Sequence, residues 1–431
     1  RGKSRWFMRY LFSLPYSFAV FAVVIFSLIV RLFNLGIPAE YIFDERYHVP
    51  AIRLIAEKDV RAFEWWHTPI YGEDNHDWLH PPLAKYIQAG IYNLGGKSVV
   101  SWRMGSVIFG IFGIILVYVF ASLLTKNRLT GILAALFLSL DGLWLVQSRV
   151  AMNDVFLAVW LLLAAITYLV FKEKRNIDSS GWLLLTGIFL GLAIATKWTG
   201  LFFIVGFLHY ETMLIFRKKQ WRLFPWRVFS LVILPIFIYV LSYVPLFFYG
   251  KDFSFIFNLH KNILWYQIHR DTVHSYQSVP VQWIGNLQAV WYWKGSATEN
   301  IYAVNNPLLV IFSNIALIFS LYRIFFIKKS RKVFSYLVFF YAWSFVPWIL
   351  SPRILFYYHY TPALPFLATM LAVLVKKIYF TYNKKIGFWS SSINISLFMF
   401  TIFSLVGIFW IYYSGWIGFL VPRDFKEIVY F

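Results

Sequence analysis

The sequence predicts an all-α polytopic membrane protein, and three observations carry that prediction. Only 14% of the 431 residues are charged, while 60% are hydrophobic and 22% aromatic; an ordinary soluble domain has about 25% charged residues. Apolar runs long enough to cross a bilayer, about 17 to 25 residues each, recur from Tyr16 almost to the C-terminus, and mean hydropathy is +0.63. Between the runs, Lys and Arg crowd into alternate connections. A soluble globule is excluded. The formal charge of +21 is therefore topology charge and implies no nucleic-acid partner, because the basic residues sort by side of the membrane. With no cysteine in the chain, disulfides, thiolate nucleophiles and Cys-ligated zinc are excluded. Any chemistry rests on carboxylates, His, Lys, Arg and hydroxyls.

Eleven spans are predicted, at roughly 16–34, 104–124, 130–147, 155–171, 181–196, 199–216, 227–249, 305–326, 333–350, 355–375 and 391–413, each an apolar stretch bounded by charge, Gly or Pro. The first is too long for a signal-peptide core and counts as a span. With the basic leader Arg1, Lys3, Arg5 and Arg9 in the cytoplasm, 23 of the 40 Lys and Arg fall in that leader and the short connections 126–128, 172–175, 217–227, 323–332 and 376–385. That is the positive-inside pattern, with the N-terminus cytoplasmic and the C-terminus external.

Two long segments, 35–103 and 250–304, then lie outside. Both are polar but aromatic-rich, so they read as external loops of a single integral-membrane domain, with no soluble domain. Residues 49–64 place Ile52, Ile55 and Ala56 on one helical face and Arg53, Glu57, Lys58 and Arg61 around the other, the pattern of a helix in the interface plane. The spacings Gly110/Gly113 and Gly187/Gly191 permit close helix packing but are a weak signal in a chain with 23 glycines.

Nearly all residues that hydrophobic packing cannot explain fall in the outer half, which locates the active face. Charge near a bilayer is costly, so each such residue is paired or functional. Asp44-Glu45, flanked by Phe43 and Tyr47, form a carboxylate pair in which one member can have a raised pKa and act as a base. In the segment from Asn75 to Tyr86, His80-Pro81-Pro82 forces an extended turn and puts Lys85 in the first turn of a following helix, so that His80 and Lys85 share a site. His76 and His80, with Asp74 and Asp77 nearby, raise the question of a divalent metal, but a helical His pair before Pro-Pro is poor ligand geometry and no metal ligand is assigned. Asp141, Arg149 and Asp154 cluster at the outer turn between the third and fourth spans, either at the site or pinning a tight helical hairpin. Arg103, Arg149, Lys197 and Arg353 together make a ring of cations at the outer mouth, which suits a lipid-linked phosphate at the bilayer surface.

The stretches FDERYH (43–48), HPPLAK (80–85), the SRVAMND turn (148–154), GLAIATKWTGLF (191–202), HSYQSVPVQW (274–283) and SPRILFYYHYTPALPF (351–366) resemble, in order, the protein O-mannosyltransferases. These are integral-membrane C-type (GT-C) glycosyltransferases that use a polyprenyl-phosphate mannose. The likeness covers about residues 41–366. It implies that Asp44 is the catalytic base, with Glu45 shaping the acceptor side, and that His80, Lys85 and Arg103 line the same cavity. It further implies that the loop of His274, Ser278 and Trp283 covers that cavity, with Tyr358 and His359 on the acceptor side. Arg46-Tyr47-His48 departs from the fungal pattern, and the second external loop is too short for the β-trefoil module of the fungal enzymes, so the chain looks like a minimal, prokaryotic-type member.

The chemistry agrees with that resemblance. A mannosyl phosphate has a good leaving group, so cations suffice to stabilise the departing charge, whereas the acceptor hydroxyl needs a base. One carboxylate plus a cation ring is enough, and a single displacement inverts the anomeric centre. The implied partners are membrane lipid, the polyprenyl-phosphate sugar and an acceptor polypeptide, with no cofactor. The alternatives are a related GT-C enzyme acting on a lipid or cell-wall glycan with another sugar, and a lipid-linked sugar transporter. The transporter reading is disfavoured because the charges crowd one face and not the midplane.

Overall fold

A computed structural model describes residues 14–67, 76–173, 180–269, 273–296, 299–380 and 388–418. The leader Arg1–Arg9, Asp74, Lys174, Arg175, Lys384 and Lys385 lie outside those residues. The described chain is helical apart from one short strand pair. Among the described residues, eight helices are long and apolar enough to cross a membrane, and three shorter apolar helices, at Tyr16–Leu32, Arg128–Ser139 and Ser180–Thr196, stand at the other predicted positions.

In order, α1 (Leu14–Leu32) is followed in the first long connecting segment by α2 (Glu45–Ala56) and α3 (Leu83–Leu94). The next apolar helices are α4 (Val99–Thr125), α5 (Arg128–Ser139), the short α6 (Gly142–Gln147), α7 (Asp154–Glu173), α8 (Ser180–Thr196) and α9 (Leu201–Lys218). A π-helical turn, Phe229–Ile233, joins α10 (Phe224–Val228) to α11 (Leu234–Leu241), and α12 (Pro245–Phe248) ends that span. The second long connecting segment holds α13 (Phe253–Ile268), α14 (Pro280–Ile284), and the antiparallel strands β1 (Val290–Lys294) and β2 (Asn300–Ala303). Then come α15 (Pro307–Phe326), α16 (Arg331–Phe345), the 3-10 helix Tyr357–Ala363, α17 (Leu364–Phe380) and α18 (Phe388–Ile417).

Side-chain caps set several boundaries by satisfying the orphan amides of a helix's first turn. Ser98 and Ser101 form a reciprocal capping box at α4. Asn127 accepts from the Thr130 amide at α5. The predicted continuous helix over 130–147 is instead broken in two, because Asp141 accepts from the Trp144 amide at 2.8 Å and starts α6 afresh. Both glycine spacings mark real close approaches: a Cβ at Gly187 would stand 1.9 Å from the Ser230 carbonyl oxygen, and one at Gly110 would stand 2.2 Å from the Ser148 Cβ.

Burial separates an inner set of helices from an outer one. In α7, 83% of the span's residues are buried, against 17% in α15 and α18. Arg103 in α4, Asp154 at the start of α7 and Lys197 after α8 are accordingly buried in protein.

The predicted interface helix at 49–64 differs from the structure. It is α2, ending at Ala56, followed by a 3-10 turn at Val60–Phe63. Its apolar face does not meet lipid: Val49 and Ile52 pack fully buried against Ala89, Tyr92, Trp102 and Ala151.

Candidate active site

The site begins at the N-terminus of α2. Asp44 is the residue before its first turn, where an Asp ordinarily caps the helix with its side chain, but here the carboxylate makes no capping bond. The Tyr358 hydroxyl instead donates to its Oδ2 at 3.4 Å. Phe43 precedes it at φ +47°, a left-handed conformation costly for a bulky residue. The Phe43 ring is held by stacking on Tyr292 at 4.3 Å and meets the edges of Phe356 and Tyr358. Four aromatic rings thus form a wall beside the carboxylate. Burial raises the Asp44 pKa, opposed by the charges of His48 and Lys197.

Glu45 is different from its neighbour although the two are adjacent in sequence. It is fully buried, and Arg103 grips it with two parallel bonds of 2.9 and 2.8 Å. Its oxygens also accept from the Ile42 and Ala151 amides. The other Arg103 donors go to the carbonyls of Leu35, Pro38 and Glu40. This pair ties together α2, α4 and the chain on either side of them, and offers no free donor to a phosphate. The structure therefore corrects the placement of Glu45 beside the acceptor and of Arg103 in the donor cavity. Arg149 is corrected in the same way: its guanidinium donates to the carbonyls of Val30, Arg31 and Phe33, capping the C-terminal end of α1 where the helix dipole favours a cation.

On the other side of Asp44 stand Lys197 and Asp154. The Lys197 ammonium donates to Asp154 Oδ1 at 2.8 Å and lies 5.3 Å above the Tyr358 ring. Asp154 opens α7 and Lys197 follows α8, so the tight packing of those two helices sets the pair. Arg353 donates from Nη2 to His359 Nε2 at 3.1 Å and from Nη1 to Gln267. His359 stacks on buried Trp283, whose indole donates to Ser278 Oγ at 2.9 Å. His274 is exposed, its ring set edge-on against Phe356 at 5.1 Å. Asp44, Asp154, Lys197, Tyr358, His359 and Arg353 are thus linked through direct contacts by way of Tyr358 and the chain that follows it, whereas Asp141, Glu45, Arg103 and Arg149 serve the frame.

The HPP segment is organised by Asp77, which the sequence offered only as a neighbour of the histidine pair. Asp77 accepts from the amides of Leu79 and His80 and lies 2.9 Å from His80 Nδ1, while its other oxygen is 3.0 Å from His48 Nδ1. Lys85 is 3.5 Å from the same carboxylate and donates to the carbonyls of Asp77 and His80 at 2.6 and 2.9 Å. Lys85 is buried and acts as a strut for the turn, which corrects its assignment to the donor phosphate. Burial alone would raise the Asp77 pKa, but the charges of His80, Lys85 and His48 prevail and hold it well below the usual carboxylate range. His80 keeps a side chain 23% exposed. Burial lowers its pKa, with Asp77 opposing. A sequence signal existed: an Asp three residues before His80 and two before Leu79 is the spacing of a side chain that bonds its own turn.

Among the described residues, His48, Asp77 and His80 have ligand atoms within 4.8 Å of one another, the spacing of a metal cluster. His80 Nδ1 bonds Asp77, His48 Nδ1 lies 3.0 Å from its other oxygen without completing a hydrogen bond, and Lys85 balances the carboxylate's charge. The three side chains form a His–Asp–His unit beside an ammonium, and we assign it no metal.

A groove of about 620 Å³ opens between the chain around α14 and the residues following α16, lined by Gln277, Ser278, Pro280, Trp348, Arg353 and Leu355 among others. That volume is in the range of small-molecule sites, and Arg353 is its cation.

Comparison with known proteins places these features in context. Residues 21–249 match the family model for dolichyl-phosphate-mannose-protein mannosyltransferase, and residues 252–424 match the C-terminal four-transmembrane region of protein O-mannosyltransferase. The chain is 25% identical to the polyprenol-phosphate-mannose–protein mannosyltransferase of Mycolicibacterium smegmatis, over 83% of this chain and 81% of that protein. It is equally similar to the enzyme of that name from Corynebacterium glutamicum, over 83% and 82%. Among solved structures it resembles the Saccharomyces cerevisiae Pmt1-Pmt2 complex bound to the sugar donor, with a TM-score of 0.80 and 14% identity, covering 97% of this chain and 92% of that one. Cupriavidus metallidurans ArnT bound to undecaprenyl phosphate shares the fold more distantly, with a TM-score of 0.59 and 16% identity over 93% and 76% of the two chains.

Proposed function

The chain belongs to the dolichyl-phosphate-mannose–protein mannosyltransferase family, and on that premise we propose that it moves mannose from a polyprenyl-phosphate mannose to Ser and Thr hydroxyls of polypeptides at the external membrane face, with Asp44 as base. The fold is that of the GT-C glycosyltransferases, and the protein is a multi-pass membrane enzyme. The observation that carries the mechanism is the Asp44 carboxylate, which leaves its helix uncapped and faces the Tyr358 hydroxyl beside the Lys197–Asp154 pair.

In the proposed reaction the acceptor hydroxyl gives its proton to Asp44 as its oxygen attacks the anomeric carbon. The bond from that carbon to the phosphate oxygen breaks on the opposite face, so configuration inverts. The electron pair leaves with the polyprenyl phosphate, whose charge Lys197 and Arg353 receive. The groove at Arg353 suits the entering phosphate, and the aromatic wall of Phe43, Tyr292, Phe356 and Tyr358 suits a sugar face. Partial burial of Asp44 serves the same end, because a base with a raised pKa accepts a proton more readily at neutral pH.

Transfer of labelled mannose from lipid phosphate to a Ser/Thr peptide tests the reading. Asp44→Asn keeps size but cannot accept the proton, and should lower turnover by about 10² to 10⁴ while donor binding persists. Wild-type turnover in that variant would move the base elsewhere on the same face, Asp154 first.

A further inference from the structure

Helix α13 has three faces. Successive residues of a helix advance about 100°, and on that count Phe253, Phe257, Leu264 and Ile268 share one sector of about 60°. All four are exposed, at 78%, 71%, 53% and 57%. The next sector carries Ser254, Asn258, Lys261 and Asn262, with Trp265 among them stacked on His269. The remaining sector is turned to the protein, where Leu259 and Ile263 pack buried against Ala62, Phe63, Tyr243 and Leu246.

A helix surrounded by water does not keep four large apolar side chains in one exposed stripe beside a polar one. A helix lying in the membrane interface does. The chain's path supplies the bilayer. The preceding span ends at Phe248, and the four residues 249–252 reach at most about 14 Å, so the helix begins at the outer end of a membrane crossing. Lys251 in that connection pairs with Glu64 at 2.6 Å, tying the helix start to the first external segment. At its other end, Gln267 accepts from Arg353 Nη1, the cation of the groove.

We propose that α13 is an interfacial helix that seats the Phe253, Phe257, Leu264 and Ile268 face in the outer leaflet and, through Gln267, fixes the height of Arg353 at the bilayer surface. The first half stands on geometry alone, and the second rests on the reading of Arg353 as a donor-phosphate ligand. The lipid-linked donor's phosphate also lies at that surface, so a reference to the bilayer, independent of the spans, would register the cation with its ligand.

The chain has no cysteine, so single spin labels at Phe257, Leu264, Asn258 and Lys261 can be compared in nanodiscs of phosphatidylethanolamine and phosphatidylglycerol. Labels at 257 and 264 should be relaxed by oxygen and shielded from a water-soluble nickel chelate, and labels at 258 and 261 should show the reverse. Equal nickel access at all four positions would overturn the seat, leaving the stripe open to water and to an acceptor polypeptide. For the second half, Gln267→Ala should leave the depth contrast intact and raise the donor KM several-fold with little change in kcat. An unchanged donor KM with the contrast intact would sever α13 from Arg353 without touching the seat.

Discussion

The two long connecting segments carry helices of similar amphipathic pattern and put them to opposite uses. In the first, α2 buries its apolar face on α3 and α4, and its polar residues are consumed by long-range partners, Glu45 by Arg103 and His48 by Asp77. In the second, α13 leaves an apolar stripe uncovered. The periodicity is the same kind of signal in both, and what differs is whether another element covers the face. The lesson is that amphipathicity locates a helix at a boundary, while the boundary itself, protein or lipid, is set by contacts far away in sequence.

The largest way to break the comparison is to attack the locked segment at its centre. Removing one partner of a buried ion pair strands the other charge, at a cost of about 3 to 5 kcal/mol. Arg103→Met should therefore lower thermal stability in detergent and the yield of monodisperse protein, with turnover per folded molecule falling far less than in Asp44→Asn. Normal stability with lost donor binding would restore Arg103 to the cavity. A smaller effect is expected from Lys85→Met, which leaves two buried carbonyls without their donor, at about 1 to 3 kcal/mol. Donor KM of the folded fraction should stay near wild type. A donor KM that rises while stability holds would return Lys85 to phosphate recognition.

What could be read without the structure follows the same division. The spans were legible because hydropathy is a local property, and the predicted positions meet apolar helices throughout. The acidic pair stood out in the sequence and the family resemblance implied the role of base for Asp44, whereas the fate of Glu45 was hidden because the Arg103 that claims it lies 58 residues away. The predicted ring of cations mixed side chains alike in type and unlike in surroundings: Lys197 meets a carboxylate beside the site, while Arg149 meets the carbonyl end of α1. Charge density showed that these residues were costly and therefore used. Only packing shows which use, helix cap or ligand, each one has. The aromatic wall was hidden for a similar reason, because Tyr292 comes from β1 and Phe43 from the turn before α2, and neither stands out in a chain that is 22% aromatic.

The finest test separates Asp44 from Asp77 by their opposite pKa directions. Burial raises the Asp44 pKa, while His80, Lys85 and His48 hold that of Asp77 well below the usual carboxylate range. A base must be ionised, so kcat/KM should rise with pH through the folded pKa of the base and be lost as pH falls below it. With Asp44 in that role the acidic limb lies above the usual carboxylate value of about 4, and with Asp77 it would lie below. His48 is the foremost charge pulling the Asp44 pKa down. Replacing it with neutral Gln removes that pull and should move the limb to higher pH, so that the variant loses most activity on the acid side and least at alkaline pH. A simple folding defect would scale the whole profile down without moving it. A limb that stays fixed in His48→Gln, or one below the carboxylate range in the wild type, would detach the proton transfer from Asp44.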